Sequence, residues 1–339
     1  MTHDPSHAHL ELIRHAPRSF AFDPARNFES WQNELKTKFL ELLGDFPDKI
    51  DPELQIEWRK PHSAFEEIRF TFLSEKNTRV PCHLLVPSTG KKPFPVVVCL
   101  QGHNPGMRIS LGRSSSIKDW IKIKYGGRDY AIQAVKQGYA ALALEQRCFG
   151  ERKDQRPPEF RQNNHSCHHA TMTALLLGRT MIGERIWDVM RAIDVLASFP
   201  ELDAAKIACI GHSAGGTIAY YAACLDARIK LVMASGAICT YESSIGTRDH
   251  CMDNYIPGVL KWFDMADLAG LIAPRPLVVV AGVEDKIFPV NGVRAAFSRI
   301  KEIYAHSDDS GQCQLVEGRG GHHFYPEITW PVFNGFFFN

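Results

Sequence analysis

Short continuous apolar runs alternate with longer amphipathic stretches along most of this chain. That alternation predicts a parallel sheet buried on both faces and flanked by helices. Val96 to Leu100, opened by Pro95, is the first such run, and Gly138 to Leu144 is the next. Lys206 to Ile210, Ile229 to Ala234, Leu277 to Ala281 and Gln312 to Val316 complete the series. Between them, Asp129 to Gln137, Ile186 to Leu196, Gly216 to Cys224 and Val290 to Tyr304 have helical spacing, and a short helix is expected near Trp330 to Phe337. Upstream, Phe65 to Leu73 and Arg79 to Val86 alternate about Ser-Glu-Lys-Asn-Thr, which predicts an antiparallel hairpin. Trp31, Leu35, Phe39 and Leu42 recur at helical intervals over Phe28 to Leu43, ending at Gly44.

Two stretches break the rhythm. Arg152 to Thr173 contains two adjacent prolines and the run His165-Ser166-Cys167-His168-His169. Cys239 to Asp264 mixes Tyr241, His250, Tyr255, Trp262 and Phe263 between two strands, and reads either as an apolar lid or as a segment whose aromatics pack onto the sheet. Long connections inside a compact domain are usually functional. The domain reading is a helical extension over residues 1–60 followed by a catalytic domain over 61–339, with an insertion around 239–264.

Composition narrows the partners. With 39 basic and 38 acidic residues the formal charge is +1, which gives no electrostatic case for nucleic acid or an anionic membrane. No apolar stretch approaches the roughly 20 residues that span a bilayer. Met1 to Leu12 carries three histidines and no apolar core, unlike a secretory leader. The cysteine count is nine, and Cys99, Cys209 and Cys224 fall inside apolar runs, as reduced core residues do. A reducing, cytoplasmic setting is the expectation.

The chemistry is concentrated where strands end. Gly211-His212-Ser213-Ala214-Gly215 joins an apolar run to an alanine-rich helical segment. In a strand-to-helix bend this sharp, glycines remove side chains that would collide and the serine hydroxyl is exposed. Such a nucleophile needs a base, and the base needs an orienting carboxylate. Gly282-Val283-Glu284-Asp285 follows one strand, with Asp285 the preferred acid and Glu284 the fallback. Gly320-Gly321-His322-His323-Phe324 follows the last strand, with His322 the preferred base and His323 the alternative. Backbone amides of Ala214 and His103, in the loop Gln101 to Gly106, are expected to receive an oxyanion.

Other clusters carry weaker signals. His165, Cys167, His168 and His169 could ligate a metal, but no second cluster has zinc spacing, so a polar loop is expected and no metal or cofactor is called for. Arg147 and Glu151 read as a structural ion pair. Lys118 to Lys124 reads as a solvated face, and Gly126-Gly127 lacks a phosphate-loop context.

At this point the chain resembles an α/β-hydrolase, and within that fold the bacterial esterases of the dienelactone-hydrolase and acetyl-xylan-esterase-like group. The resemblance runs from about Pro93 onward. It is carried by Leu177-Gly178-Arg179 through Trp187-Asp188, by Gly211 to Gly216, by Tyr255-Ile256-Pro257-Gly258 through Asp264-Met265, and by Ile272-Ala273-Pro274-Arg275-Pro276 through Pro289. It implies a mostly parallel sheet of about eight strands. It also implies Ser213 as nucleophile, Asp285 as acid and, through the Gly-His-x-Phe pattern of Gly321 to Phe324, His322 rather than His323 as base. Gln101-Gly102 stands where many members have His-Gly, and Arg147-Cys148-Phe149-Gly150 replaces Arg-Gly-x-Gly. The expected function is a cofactor-independent serine esterase acting on a small ester, with a thioester or carbon–carbon substrate inside the same chemistry. The alternatives are a peptidase of the acylaminoacyl type and a non-catalytic binding protein with this fold. The N-terminal helix could dock on its own domain or on a neighbour in a homo-oligomer.

Overall fold

The computed structural model describes residues 3–103, 106–157, 159, 166–307 and 312–337. His165 of the histidine-rich run and Asn104-Pro105 of the loop after Leu100 lie outside them. The described residues form one nine-stranded sheet, ordered β1-β2-β3-β5-β4-β6-β7-β8-β9, one strand more than the expectation of about eight. The first four elements in space are antiparallel neighbours: β1 (Gln55–Pro61), β2 (Phe65–Glu75), β3 (Thr78–Pro87) and β5 (Ala140–Leu144). From β5 onward the pairing is parallel, through β4 (Phe94–Leu100), β6 (Leu202–His212), β7 (Ile229–Ser235), β8 (Leu277–Gly282) and β9 (Cys313–Gly318). β1 is the added strand. It is exposed along its whole length, so it lacks the burial pattern by which strands are recognised.

The continuous apolar runs have a simple cause. Val97, Cys99, Ala208 and Ile210 face one helical layer, while Val96, Val98, Ile207 and Cys209 face the other. The first layer contains α4 (Tyr130–Lys136) and α9 (Pro326–Phe337). The second contains α2 (Phe28–Leu43), α6 (Met181–Leu196), α7 (Ala214–Leu225) and α8 (Val290–Ala305). With apolar side chains on both faces, alternation is lost and burial is maximal.

The N-terminal helix docks on its own domain. Trp31, Leu35, Phe39 and Leu43 of α2 are buried in the same cluster as β2, β4 and β6. Gly270 permits this contact, because a side chain there would meet the Trp31 ring at 2.3 Å. The boundary expected at residue 60 falls inside β1, so the sheet begins within the stretch read as an extension.

A buried charge network locks α6 to the turn after β5. Asp188 is fully buried and receives Arg147 through Nε at 2.9 Å and Nη2 at 3.0 Å, and Arg152 at 2.6 Å. Arg147 also reaches Glu184 at 2.9 Å and Glu75 at 2.7 Å. Arg147 and Glu151 therefore do not form the ion pair expected from sequence; Glu151 pairs with Arg69 at 2.6 Å. Burial opposes the charge on Asp188, yet the two arginines hold its carboxyl well below the usual range. Asp188→Asn leaves those guanidiniums undercompensated in a dry site, with an expected loss of about 3–5 kcal/mol. Because the folded pKa is depressed, the stabilisation is present above the ordinary carboxyl value and is lost as pH falls through the lowered one. Urea melts should thus show a large gap at pH 7 that narrows below about pH 4. A gap independent of pH would contradict this reading.

Lys118 to Lys124, read as a solvated face, is the largely exposed helix α3 (Ile117–Lys124), which also leaves Trp120 and Ile121 exposed. Within the long excursion, α5 (Ser166–Leu176) is a helix rather than a polar loop. It exposes His168 and His169 and buries Cys167. In the segment read as a lid or as packing onto the sheet, the second reading holds: Tyr241 and Phe263 belong to the main core, and Trp262 packs on Phe20 at 5.3 Å. No helix among the described residues is long and apolar enough to cross a membrane.

Candidate active site

Residues from four separate segments lie at the carboxyl ends of β4, β6, β8 and β9. β6 runs to His212 and α7 begins at Ala214, so Ser213 occupies the bend alone, with φ 58° and ψ −129°. That conformation is unfavourable for any residue with a Cβ and is held by its surroundings. The Ser213 amide donates to Ser235 O at 2.8 Å, and its carbonyl accepts from Thr217 at 3.0 Å. The glycines are required by contact as well as by bend. A Cβ on Gly211 would lie 2.1 Å from Gly215 O, and one on Gly215 would lie 2.1 Å from Leu100 O.

Asp285 and His322 are brought together. His322 Nδ1 and Asp285 Oδ2 are 2.7 Å apart. The other oxygen, Oδ1, accepts from the amides of Ile287 at 2.8 Å and Phe288 at 3.2 Å, which fixes the carboxylate plane. Burial works against ionisation here, but His322 and those amides hold the Asp285 carboxyl below its ordinary range. Glu284, the fallback acid, points to solvent. The imidazole of His322 stacks on Phe288 at 6.0 Å and lies 4.5 Å from the ring of His212. Gly236 makes space for it, since a Cβ there would sit 2.9 Å from His322 Cε1. His322 Nε2 is buried and has no hydrogen-bond partner. No hydrogen bond joins it to Ser213. His323, the alternative base, leaves Nδ1 unpartnered and packs beside Tyr325.

His212 was not singled out by sequence, where it is merely the variable position of the elbow. It is wholly buried, and burial drives its pKa well below the ordinary histidine value. A neutral ring under His322 adds no standing positive charge beside that imidazole. Its Nδ1 pairs with Ser235 Oγ at 3.0 Å.

The loop after β4 and the start of α7 hold the two residues, His103 and Ala214, whose amides sequence singled out. Gly102 lies against the serine, where a Cβ would fall 2.9 Å from Ser213 Cβ. Ala214 supplies the first amide of α7, which the helix itself leaves unpaired. Two residues missed by sequence reasoning clamp this loop. Glu145 Oε1 accepts from Gln101 Nε2 at 2.8 Å and from the Met107 amide at 2.9 Å, while Gln146 donates to Gln101 O. Burial raises the Glu145 carboxyl to about 7. The signal, a polar pair directly after the apolar strand 140–144, is visible in the sequence but has no meaning without the fold. His103 Nε2 turns away from the elbow to Asp253 Oδ2 at 2.9 Å. Burial disfavours the imidazolium, yet the bond to Asp253 raises it to about 9.

Comparison with known proteins agrees with the architecture. Residues 6–312 match the model of the family described as "Abhydrolase family". A Bacillus subtilis (strain 168) protein named "Putative hydrolase YtaP" is 27% identical over 296 residues, covering 85% of this chain and 93% of its own. A "4-O-methyl-glucuronoyl methylesterase" from Phanerochaete carnosa is 27% identical over 247 residues, covering 64% of this chain and 58% of its own. Among solved structures, a "putative acetyl xylan esterase" from Bacteroides fragilis superposes with a TM-score of 0.78 at 18% identity, covering 94% of this chain and 83% of that one. A glucuronoyl esterase from Teredinibacter turnerae gives 0.67 at 16%, covering 96% and 89%. The likeness to acetyl-xylan-esterase-like proteins expected from the motifs is thus borne out in the fold.

Proposed function

The chain belongs to the Abhydrolase family, and on that footing we propose that it hydrolyses carboxylic esters through an acyl-enzyme formed on Ser213. The observation that carries this reading is the strained serine directly after His212, whose ring lies 4.5 Å from the half-buried His322 imidazole, itself held through Nδ1 by Asp285 with Nε2 unpartnered. Ser213 Oγ attacks the ester carbonyl while His322 Nε2 takes its proton and then delivers it to the departing alcohol. Asp285 keeps the proton of the resting imidazole on Nδ1, so that Nε2 faces the serine as an acceptor, and it stabilises the imidazolium that forms. Amides of Ala214 and His103 receive the negative charge that develops on the carbonyl oxygen, and each such donor contributes about 3 kcal/mol. Water, activated by the same imidazole, releases the acid. The open Nε2 is compatible with this cycle, because catalytic hydrogen bonds often close only when substrate is bound. No step requires a cofactor.

The substrate class we assign is a short acyl or methyl ester carried on a carbohydrate, because the relatives named for their substrates are acetyl xylan and glucuronoyl esterases. The test is a panel of p-nitrophenyl acetate, acetylated xylo-oligosaccharides, a methyl glucuronate ester and aminoacyl anilides. Turnover of at least one sugar ester, with kcat/KM for anilides lower by about two orders of magnitude or more, is the expected outcome. Anilide cleavage matching or exceeding every ester would favour a peptidase and overturn the assignment.

A further inference from the structure

At the proposed oxyanion loop lies a cluster of side chains that the ester reaction does not use, although it includes the imidazole of His103, whose backbone amide does take part. One donor atom from each of His103, Cys167, Cys251 and Asp253 falls within 4.8 Å of all the others. The four come from three distant segments: the loop after β4, helix α5, and the segment entering the 3-10 turn Met252–Asn254. Cys167 and Asp253 are buried, and Cys251 and His103 are half-buried. Two thiols, an imidazole and a carboxylate are a donor set suited to a four-coordinate, borderline-soft divalent cation.

A second observation points to a missing ligand. Asp253 Oδ2 is doubly engaged, by His103 Nε2 at 2.9 Å and Arg185 Nη1 at 2.7 Å, but Oδ1 is buried with no partner. A buried carboxylate oxygen left bare is costly, and native structures rarely leave one so. Charge argues in the same direction. Arg185 is itself buried, stacks 4.4 Å over the Phe149 ring and brings Nη2 to 3.7 Å from Cys167 Sγ. Two thiolates and Asp253 would carry three negative charges in a dry site, and a divalent cation together with the Arg185 guanidinium balances them.

We propose that His103, Cys167, Cys251 and Asp253 bind a divalent cation of the zinc class, which ties α5 and the 252–254 turn to the loop after β4. Cation binding releases both thiol protons and the imidazolium proton to solvent, and His103 exchanges its bond to Asp253 for one to the metal. Because the ligands come from separated segments, the absence of a short-range zinc motif around Cys167 did not reveal this arrangement.

The experiment uses the full chain, reduced with a phosphine, stripped by chelator and titrated with cobalt(II) alone. The expected result is a thiolate-to-cobalt charge-transfer band that saturates near one metal per chain and is displaced by zinc. The Cys167→Ser/Cys251→Ser double variant should lose the band, and Asp253→Asn should weaken binding at least about tenfold, the lower end of what even a supporting shell contributes. Should the double variant fail to fold, Cys251→Ser alone, on the half-exposed side, must still diminish the band. A wild-type chain with no charge-transfer band at stoichiometric cobalt, or a band unchanged by removing either thiol, overturns the proposal. None of these readouts depends on esterase activity, so their failure is distinct from failure of the ester reading.

Discussion

Replacing Ser213 by alanine is expected to lower kcat toward p-nitrophenyl acetate on the order of a million-fold, the scale seen when a triad loses its nucleophile. The residual rate would come from the oxyanion donors and binding alone. Alanine has the same backbone preferences as serine, so the bend at φ 58° stays strained and stability should hardly change. Ser213→Gly separates the two effects. Glycine adopts this region freely, so the inactive glycine variant should be more stable than wild type by about 1–3 kcal/mol. Activity is read by burst and steady-state kinetics, and stability by urea melts of all three proteins. A glycine variant no more stable than the alanine variant would show that the bend stores no strain.

The second large effect is at Asp285. Asp285→Asn should lower kcat about ten-thousand-fold while preserving the fold, as expected when the orienting acid is replaced by its amide. The physical cause is the proton on His322. A carboxylate Oδ2 at 2.7 Å accepts the Nδ1 proton and leaves Nε2 free to act as base. An amide whose oxygen remains bonded to the Ile287 and Phe288 amides presents its NH2 to the ring instead. The imidazole must then place its proton on Nε2, the wrong nitrogen for deprotonating Ser213. Asp285→Ala, which imposes no tautomer, should be less damaging than asparagine per unit of lost packing. Equal activity in wild type and Asp285→Asn would mean that another carboxylate orients the base.

The parts of this fold that were legible in sequence share one property, which is that their chemistry is local. β4, β7, β8 and the 207–212 part of β6 are buried on both faces, and the apolar runs show it directly. Ser213, Asp285 and His322 each follow a strand, so knowing the order of strands places them on one edge. What was not legible depends on contacts between segments. β1 has no buried face and α5 does not sort its polar and apolar residues onto opposite sides, so neither carries the period of its own structure. The partners of Arg147 lie on β2 and α6 rather than four residues away. For Phe263 and Tyr241 a lid and packing onto the sheet could not be told apart, because their aromatic content was visible and their burial was not. Glu145, His212 and the group around Asp253 acquire meaning only when β5, β6 and the 252–254 turn are set side by side.

The central claim, that Ser213 is a nucleophile activated by His322, is tested most directly by reacting the pure chain with a fluorophosphonate and mapping the adduct by peptide mass spectrometry. The account predicts one covalent adduct per chain, on Ser213, formed far more slowly when His322 is replaced by alanine. An unmodified Ser213 in a chain that still hydrolyses esters, or an adduct that forms at full speed without His322, would contradict it.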